Sequence, residues 1–199
     1  MGIKNFFMAF VALAMGSTVF AANPFSDVPA SHWAAESVAA MVSKGVITGY
    51  GDGRFRGERN ITRYEAAAMI AKLRGGKFKI FDSEQIFRDV PKSHWAYEFV
   101  QAAAESGINK GYDDKTFRGD RYITRYEMAQ MLANAVKSSA GSATGVFNDI
   151  PANHWALAAV NLLAAKGIIN GYGDQTFRGE KNITRYEAAV MIAKLSASG

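Results

Sequence analysis

The chain has no cysteine, which excludes disulfides, thiolate metal sites and a lipid-modified cysteine at a processed N-terminus. It has no basic block either. Its Lys and Arg, 23 against 18 Asp and Glu, are spread along 199 residues for a formal charge of +5. Such an excess suits an anionic polymer without pointing to nucleic acid. A membrane-spanning helix needs roughly twenty apolar residues, and the apolar stretch Phe6 to Ala14 is short and ends in Gly16-Ser17-Thr18. Lys4 before it and Val19-Phe20-Ala21 or Phe20-Ala21-Ala22 after it make residues 1–22 read as a cleaved secretory signal. An exported protein is expected, with no transmembrane segment in its mature part. No nucleophile with a convincing base stands out, so no enzyme is expected.

What the chain does have is repetition. Ile-Thr-Arg-Tyr-Glu occurs at Ile61 to Glu65, Ile123 to Glu127 and Ile183 to Glu187. Its arginine follows Trp33, Trp95 and Trp155 at one constant spacing, so the chain contains three copies of one structural unit. Thr62 with Glu65, and their counterparts Thr124/Glu127 and Thr184/Glu187, fit a capping box that opens a helix. Arg63, Arg125 and Arg185 then fall on the first helical residue, where the macrodipole is positive and a cation is locally unfavourable. Each guanidinium therefore needs a partner outside its own helix: a carboxylate of a neighbouring repeat, with Glu58, Asp120 and Glu180 as nearby acids, or an anionic ligand.

Each unit opens Phe-x-Asp-Val/Ile-Pro-x-x-His-Trp-Ala, at Phe25, Phe87 and Phe147. Ser31, Ser93 and Asn153 are placed as N-caps of a first helix that runs to about Lys44, Ser106 and Lys166, with Gly45, Gly107 and Gly167 ending it. Gly-Tyr-x-Asp-x-x-Phe-Arg-Gly then forms a loop, from Gly49, Gly111 and Gly171. The Ile-Thr-Arg-Tyr-Glu helix closes the unit, reaching about Leu73, Ala135 and Leu195. Two helices per unit give an all-α protein. The expected division is a signal over 1–22, repeats over 23–74, 87–136 and 147–196, and connections over 75–86 and 137–146. The first connection carries Phe78, Ile80 and Phe81 and is expected to pack. The second is a flexible linker by its Ser, Gly and Ala content. About fifty residues are marginal alone, so the three units are expected to complete one core together.

These motifs in this order resemble the S-layer homology (SLH) domain, three times over. The resemblance implies a bacterial cell-envelope protein in which three repeats form a pseudo-threefold, mostly helical body with grooves that bind wall polymer. In many relatives the implied ligand is a pyruvylated secondary wall polysaccharide touched by the arginine of a Thr-Arg-Ala-Glu motif, which carries over to Arg63, Arg125 and Arg185. Two features depart from the common pattern: Tyr64, Tyr126 and Tyr186 replace Ala, and Gly57, Gly119 and Gly179 replace Pro. That variant is similar to SLH segments of outer-membrane proteins of Firmicutes with two membranes, which implies peptidoglycan carrying polyamines. A polyamine would need carboxylates such as Asp52, Asp114 and Asp174, or aromatic faces.

Beside these readings stand plainer ones. The tyrosines suit a repeat interface as well as a sugar, and Trp33, Trp95 and Trp155 each begin an apolar helical stripe that points to the core, with a sugar-facing rim as the other possibility. His32, His94 and His154 lack the close partner of a helical zinc pair and are assigned structural hydrogen bonds. The loop acids lack the alternating ligands of a calcium loop. No cofactor or metal is expected. The expected function is non-catalytic binding of cell-wall polysaccharide or peptidoglycan in the envelope. The alternative is a self-assembling or adaptor protein that holds another envelope protein.

Overall fold

A computed structural model describes residues 24–75, 84–136 and 147–198. The signal segment, the apolar residues Phe78, Ile80 and Phe81, and the linker 137–146 lie outside the described residues. Six helices follow in order: α1 Ala35–Ser43, α2 Arg63–Leu73, α3 Tyr97–Glu105, α4 Arg125–Val136, α5 Leu157–Ala165 and α6 Arg185–Ala197. Among the described residues there is no strand, only three isolated antiparallel bridges. The protein is all-α, built from three repeats about a pseudo-threefold axis.

The second helix of each repeat starts where its sequence says. Thr62 Oγ1 accepts the Glu65 amide and Glu65 Oε2 accepts the Thr62 amide, and the same reciprocal pair forms at Thr124/Glu127 and Thr184/Glu187. The first helices end as expected too, with Gly45, Gly107 and Gly167 at φ of 68°, 70° and 68°. Their starts differ from expectation. Ser31, Ser93 and Asn153 do not cap them, because Pro29 O accepts the His32 amide and His32 O the Ala35 amide, so two turns come before the helix. The imidazole supplies the polar acceptor instead: Nδ1 of His32, His94 and His154 accepts the amide of Ala34, Ala96 and Ala156.

The repeats are interlocked rather than stacked. At the axis Ile61 N–H donates to Ile183 O, Ile183 to Ile123 and Ile123 to Ile61, each at 3.1 Å, closing a triangle in which every repeat gives one bond and takes one. All three isoleucines are fully buried. Around this triangle α2 packs on α3, α4 on α5 and α6 on α1, while α2, α4 and α6 meet one another at the centre. Among the described helices, the two belonging to one repeat do not pack together. A first helix therefore finds its apolar partner only in the preceding repeat of the cycle.

Tyr64, Tyr126 and Tyr186 sit at this junction, each buried. Their amides donate to Gly119, Gly179 and Gly57 O at 2.9 Å. The rings then fold over those same glycines so closely that an added Cβ would lie 2.1 Å from a ring carbon. The two departures from the common family pattern are thus one complementary pair in contact, a large residue set against the residue without a side chain. His32, His94 and His154 cover the other side, with ring centroids 4.2, 4.3 and 4.2 Å from Tyr186, Tyr64 and Tyr126.

This pairing predicts strong coupling. Gly57→Ala should lose about 1–3 kcal/mol by overpacking, and Tyr186→Ala about 3–5 kcal/mol by leaving a cavity. In the double variant the alanine methyl has room, so urea denaturation should show a loss smaller than the sum by more than about 1 kcal/mol. Additive losses would mean that the two positions do not share the space.

Candidate functional site

Three equivalent grooves run around the body, and each draws on all three repeats. In the second groove Arg63 comes from repeat 1, Tyr112 and Glu127 from repeat 2 and Trp155 from repeat 3. The third combines Arg125, Tyr172 and Glu187 with Trp33, and the first combines Arg185, Tyr50 and Glu65 with Trp95. Their volumes are about 400, 320 and 160 Å³ for the second, third and first grooves. None of these three grooves is lined by one repeat alone.

The arginines form the floors and are only 3–5% exposed. Arg63 Nε donates to Phe117 O at 3.0 Å, Nη2 to Lys110 O at 3.4 Å and Nη1 to Glu127 at 3.2 Å. Arg125 repeats this with Phe177 O, Asn170 O and Glu187. Arg185 donates to Phe55 O and Thr48 O and lies 3.7 Å from Glu65. The guanidiniums also lie over aromatic rings, 4.6–4.7 Å from the centroids of Phe55, Phe117 and Phe177. The outside partner demanded by the helix start is therefore the capping glutamate of the next repeat, not Glu58, Asp120 or Glu180. Burial pushes the Arg63 and Arg185 pKa values down, and the facing Glu127, Tyr50 and Glu65 act against it.

The helix starts themselves are closed to ligands. Arg63, Arg125 and Arg185 N–H donate to Arg121, Lys181 and Arg59 O at 2.9 Å. With the tyrosine amides on glycine carbonyls and the other two amides in the capping box, all four N-terminal donors are used.

On the rims, Trp33, Trp95 and Trp155 are 62%, 58% and 58% exposed. They stand in the turn before each first helix, so the apolar stripe begins one residue later, at the fully buried Ala34, Ala96 and Ala156. The expected core position is corrected: the indoles face the grooves. Tyr64, Tyr126 and Tyr186 lie beneath, at the repeat junctions. Asp52, Asp114 and Asp174 stand outside the grooves, in the loops. They pair with Arg56, Arg118 and Arg178 at 2.7, 3.3 and 2.8 Å.

Sequence reading passed over two sets of residues. Asp27, Asp89 and Asp149, the acid of Phe-x-Asp, each accept two loop amides at 2.7–2.8 Å. They hold Arg56, Arg118 and Arg178 in the left-handed region, at φ of 53–55°. The second set is Lys72, Asn134 and Lys194, on the second helices, which line the grooves. Their one signal was position, two helical turns and more beyond the arginine on the face of the glutamate.

The family model of the S-layer homology domain matches residues 24–67, 86–129 and 146–189. The chain is 35% identical over 85% of its length to a cellulosome-anchoring protein of Acetivibrio thermocellus, and 33% identical over 94% to the S-layer protein sap of Bacillus anthracis. It is also similar to an amylopullulanase of Thermoanaerobacterium thermosulfurigenes, 31% identical over 84% of the chain. It spans 38%, 23% and 9% of those relatives' own lengths.

Two outcomes follow from the geometry. Arg63→Ala removes the donor to the Phe117 and Lys110 carbonyls and empties the groove floor, while Glu127 keeps Arg121; urea denaturation should show a loss of about 1–3 kcal/mol, and no loss would contradict the buried contacts. Thr176 and Arg178 hold the Asp174 pKa down to about 2. Burial acts to raise the Asp27 pKa, but the Phe55 and Arg56 amides bring it below the ordinary range, while Arg56 lowers Asp52 and Thr116 lowers Asp114. In the unfolded chain these groups titrate near about 3.9. The stability they contribute is present above that value and is lost as pH falls from about 4 toward 2. A urea midpoint unchanged between pH 4.5 and 2.5 would contradict this.

Proposed function

The chain belongs to the S-layer homology family, and from that membership we propose that it is a non-catalytic anchor of the bacterial cell envelope. It holds an anionic cell-wall polymer, such as a secondary wall polysaccharide, in its three grooves. The observation that carries this reading is the surplus of positive charge at each groove. Glu127 pairs with Arg63 and Arg121, Glu187 with Arg125 and Lys181, and Glu65 with Arg185 and Arg59, while Lys110, Lys194 and Lys72 line the same grooves. Each glutamate is already engaged by cations, its helix cap and a tyrosine hydroxyl. A polyamine would meet this surplus and find no free carboxylate in the groove, so the anionic ligand is favoured.

The parts divide the work by depth. Arg63, Arg125 and Arg185 hold the floor and set its potential. Lys72, Lys110 and Lys194 supply charge-assisted contacts along the groove walls, and Trp33, Trp95 and Trp155 offer flat faces to sugar rings. Tyr64, Tyr126 and Tyr186 support the floor from below, and Asp52, Asp114 and Asp174 keep the loops in place. Three weak sites on one rigid body can engage a continuous polymer together, which raises retention through effective concentration. The envelope location agrees with the S-layer and anchoring relatives, and among the described residues no helix is long and apolar enough to cross a membrane.

The test uses the rim, because arginine variants would confound binding with folding. Co-sedimentation with purified sacculi across a salt series should show Lys72→Gln/Lys110→Gln/Lys194→Gln binding roughly tenfold more weakly at low salt, at about 0.5 kcal/mol for each exposed contact. Its salt dependence should be shallower. Unchanged binding by this variant, or binding lost only when the wall's polyamine is removed, would overturn the anionic reading.

A further inference from the structure

One wall of the third groove carries the only Asn-Gly pair in the chain, Asn170-Gly171. The same position is Thr48-Gly49 in the first groove and Lys110-Gly111 in the second. Asn170 is exposed, so water reaches its side chain. Its amide is paired at both ends when Oδ1 accepts from Lys194 Nζ at 3.1 Å and Nδ2 donates to Ile169 O at 3.0 Å. The next amide along the chain, Gly171 N–H, has no hydrogen-bond partner among the described residues.

That arrangement fits one reaction. The Gly171 nitrogen attacks Asn170 Cγ, and the new C–N bond closes a five-membered succinimide. The side-chain nitrogen leaves as ammonia, carrying the proton that Gly171 gives up, and water then opens the ring to aspartate or isoaspartate. Glycine hinders the attack least, having no Cβ. Lys194 aids it, because an ammonium on Oδ1 draws electrons from Cγ and stabilises the oxyanion that forms as the bond closes.

Both products place a carboxylate on a cation of the groove. In aspartate it is the former side-chain amide, facing Lys194. In isoaspartate the main chain runs through Cγ, and the freed carboxylate is the former backbone carbonyl, which Arg125 Nη2 already meets at 3.1 Å. The third groove, where Arg125, Lys181 and Lys194 outnumber Glu187, thereby loses part of its positive surplus. We propose that Asn170 is a self-deamidation site, activated by Lys194, which weakens the hold of the third groove on an anionic polymer as the protein ages. The other two grooves keep their charge. This rests on the wall-binding reading above and adds to it a release set by time.

For the test, the mature chain is held for weeks in mildly alkaline buffer, and samples are digested and weighed by mass spectrometry. The expected result is that the Asn170 peptide gains the mass of an amide turned into an acid ahead of every other asparagine. Lys194→Gln should slow that gain several-fold. Sacculus co-sedimentation on the same samples should show the aged chain, and a fresh Asn170→Asp variant, binding about threefold more weakly at low salt. Asn170→Gln, whose larger ring closes more slowly, should keep through storage the affinity it starts with. No preference for Asn170, a gain unaltered in Lys194→Gln, or an aged chain bound as tightly as a fresh one would each overturn the proposal. A fresh chain that fails to bind sacculi refutes the wall-anchor reading and with it the release, whereas the mass gain stands or falls on its own.

Discussion

A helix that begins with arginine must satisfy its first amides and its guanidinium with groups from elsewhere, and in this protein elsewhere is always the next repeat. The four N-terminal donors are consumed by a capping box and by carbonyls of the neighbouring loop, while the guanidinium crosses to that neighbour's glutamate. Ile, Arg and Tyr of each motif are three ties to other repeats. The bond triangle at Ile61, Ile123 and Ile183 is where those ties close on themselves.

Fold and site therefore use the same atoms. The ion pair that locks repeat to repeat is also the groove floor, and the tryptophan on its rim comes from the remaining repeat. A groove cannot exist unless all three repeats are in register. The potential at the floor is fixed by the same requirement. A cation is placed there for architecture, its glutamate is shared with a second cation, and the excess positive charge remains available to a ligand.

Much of this was legible in the chain. The period, the capping boxes and the terminating glycines are local signals, and local signals survive in one dimension. What could not be read was which repeat supplies each partner, since a periodic sequence presents the same glutamate three times. Arg63 could have paired with its own repeat's acids or with those of either neighbour. The tryptophans were misplaced because helical spacing was extended through a proline-led turn that is not helical. The tyrosine and glycine departures were visible together and could have been connected, because a gain of volume at one motif and a loss at another, repeated three times, is what a shared contact requires. Asn170-Gly171 was visible too, as the one Asn-Gly pair of the chain, but only the fold sets Lys194 against its amide.

Because the two helices of a repeat pack on other repeats and not on each other, order in this body is cyclic. A chain is made from its N-terminus onward, and α1 finds its packing partner in α6, the last helix described. Until that helix has emerged, α1 cannot complete its packing, and the loop to be closed spans most of the chain, which slows assembly. A chain that lacks α6 therefore leaves the apolar face of α1 uncovered. A body wired in this way stays pliable while it is incomplete and becomes rigid only when its first and last helices meet.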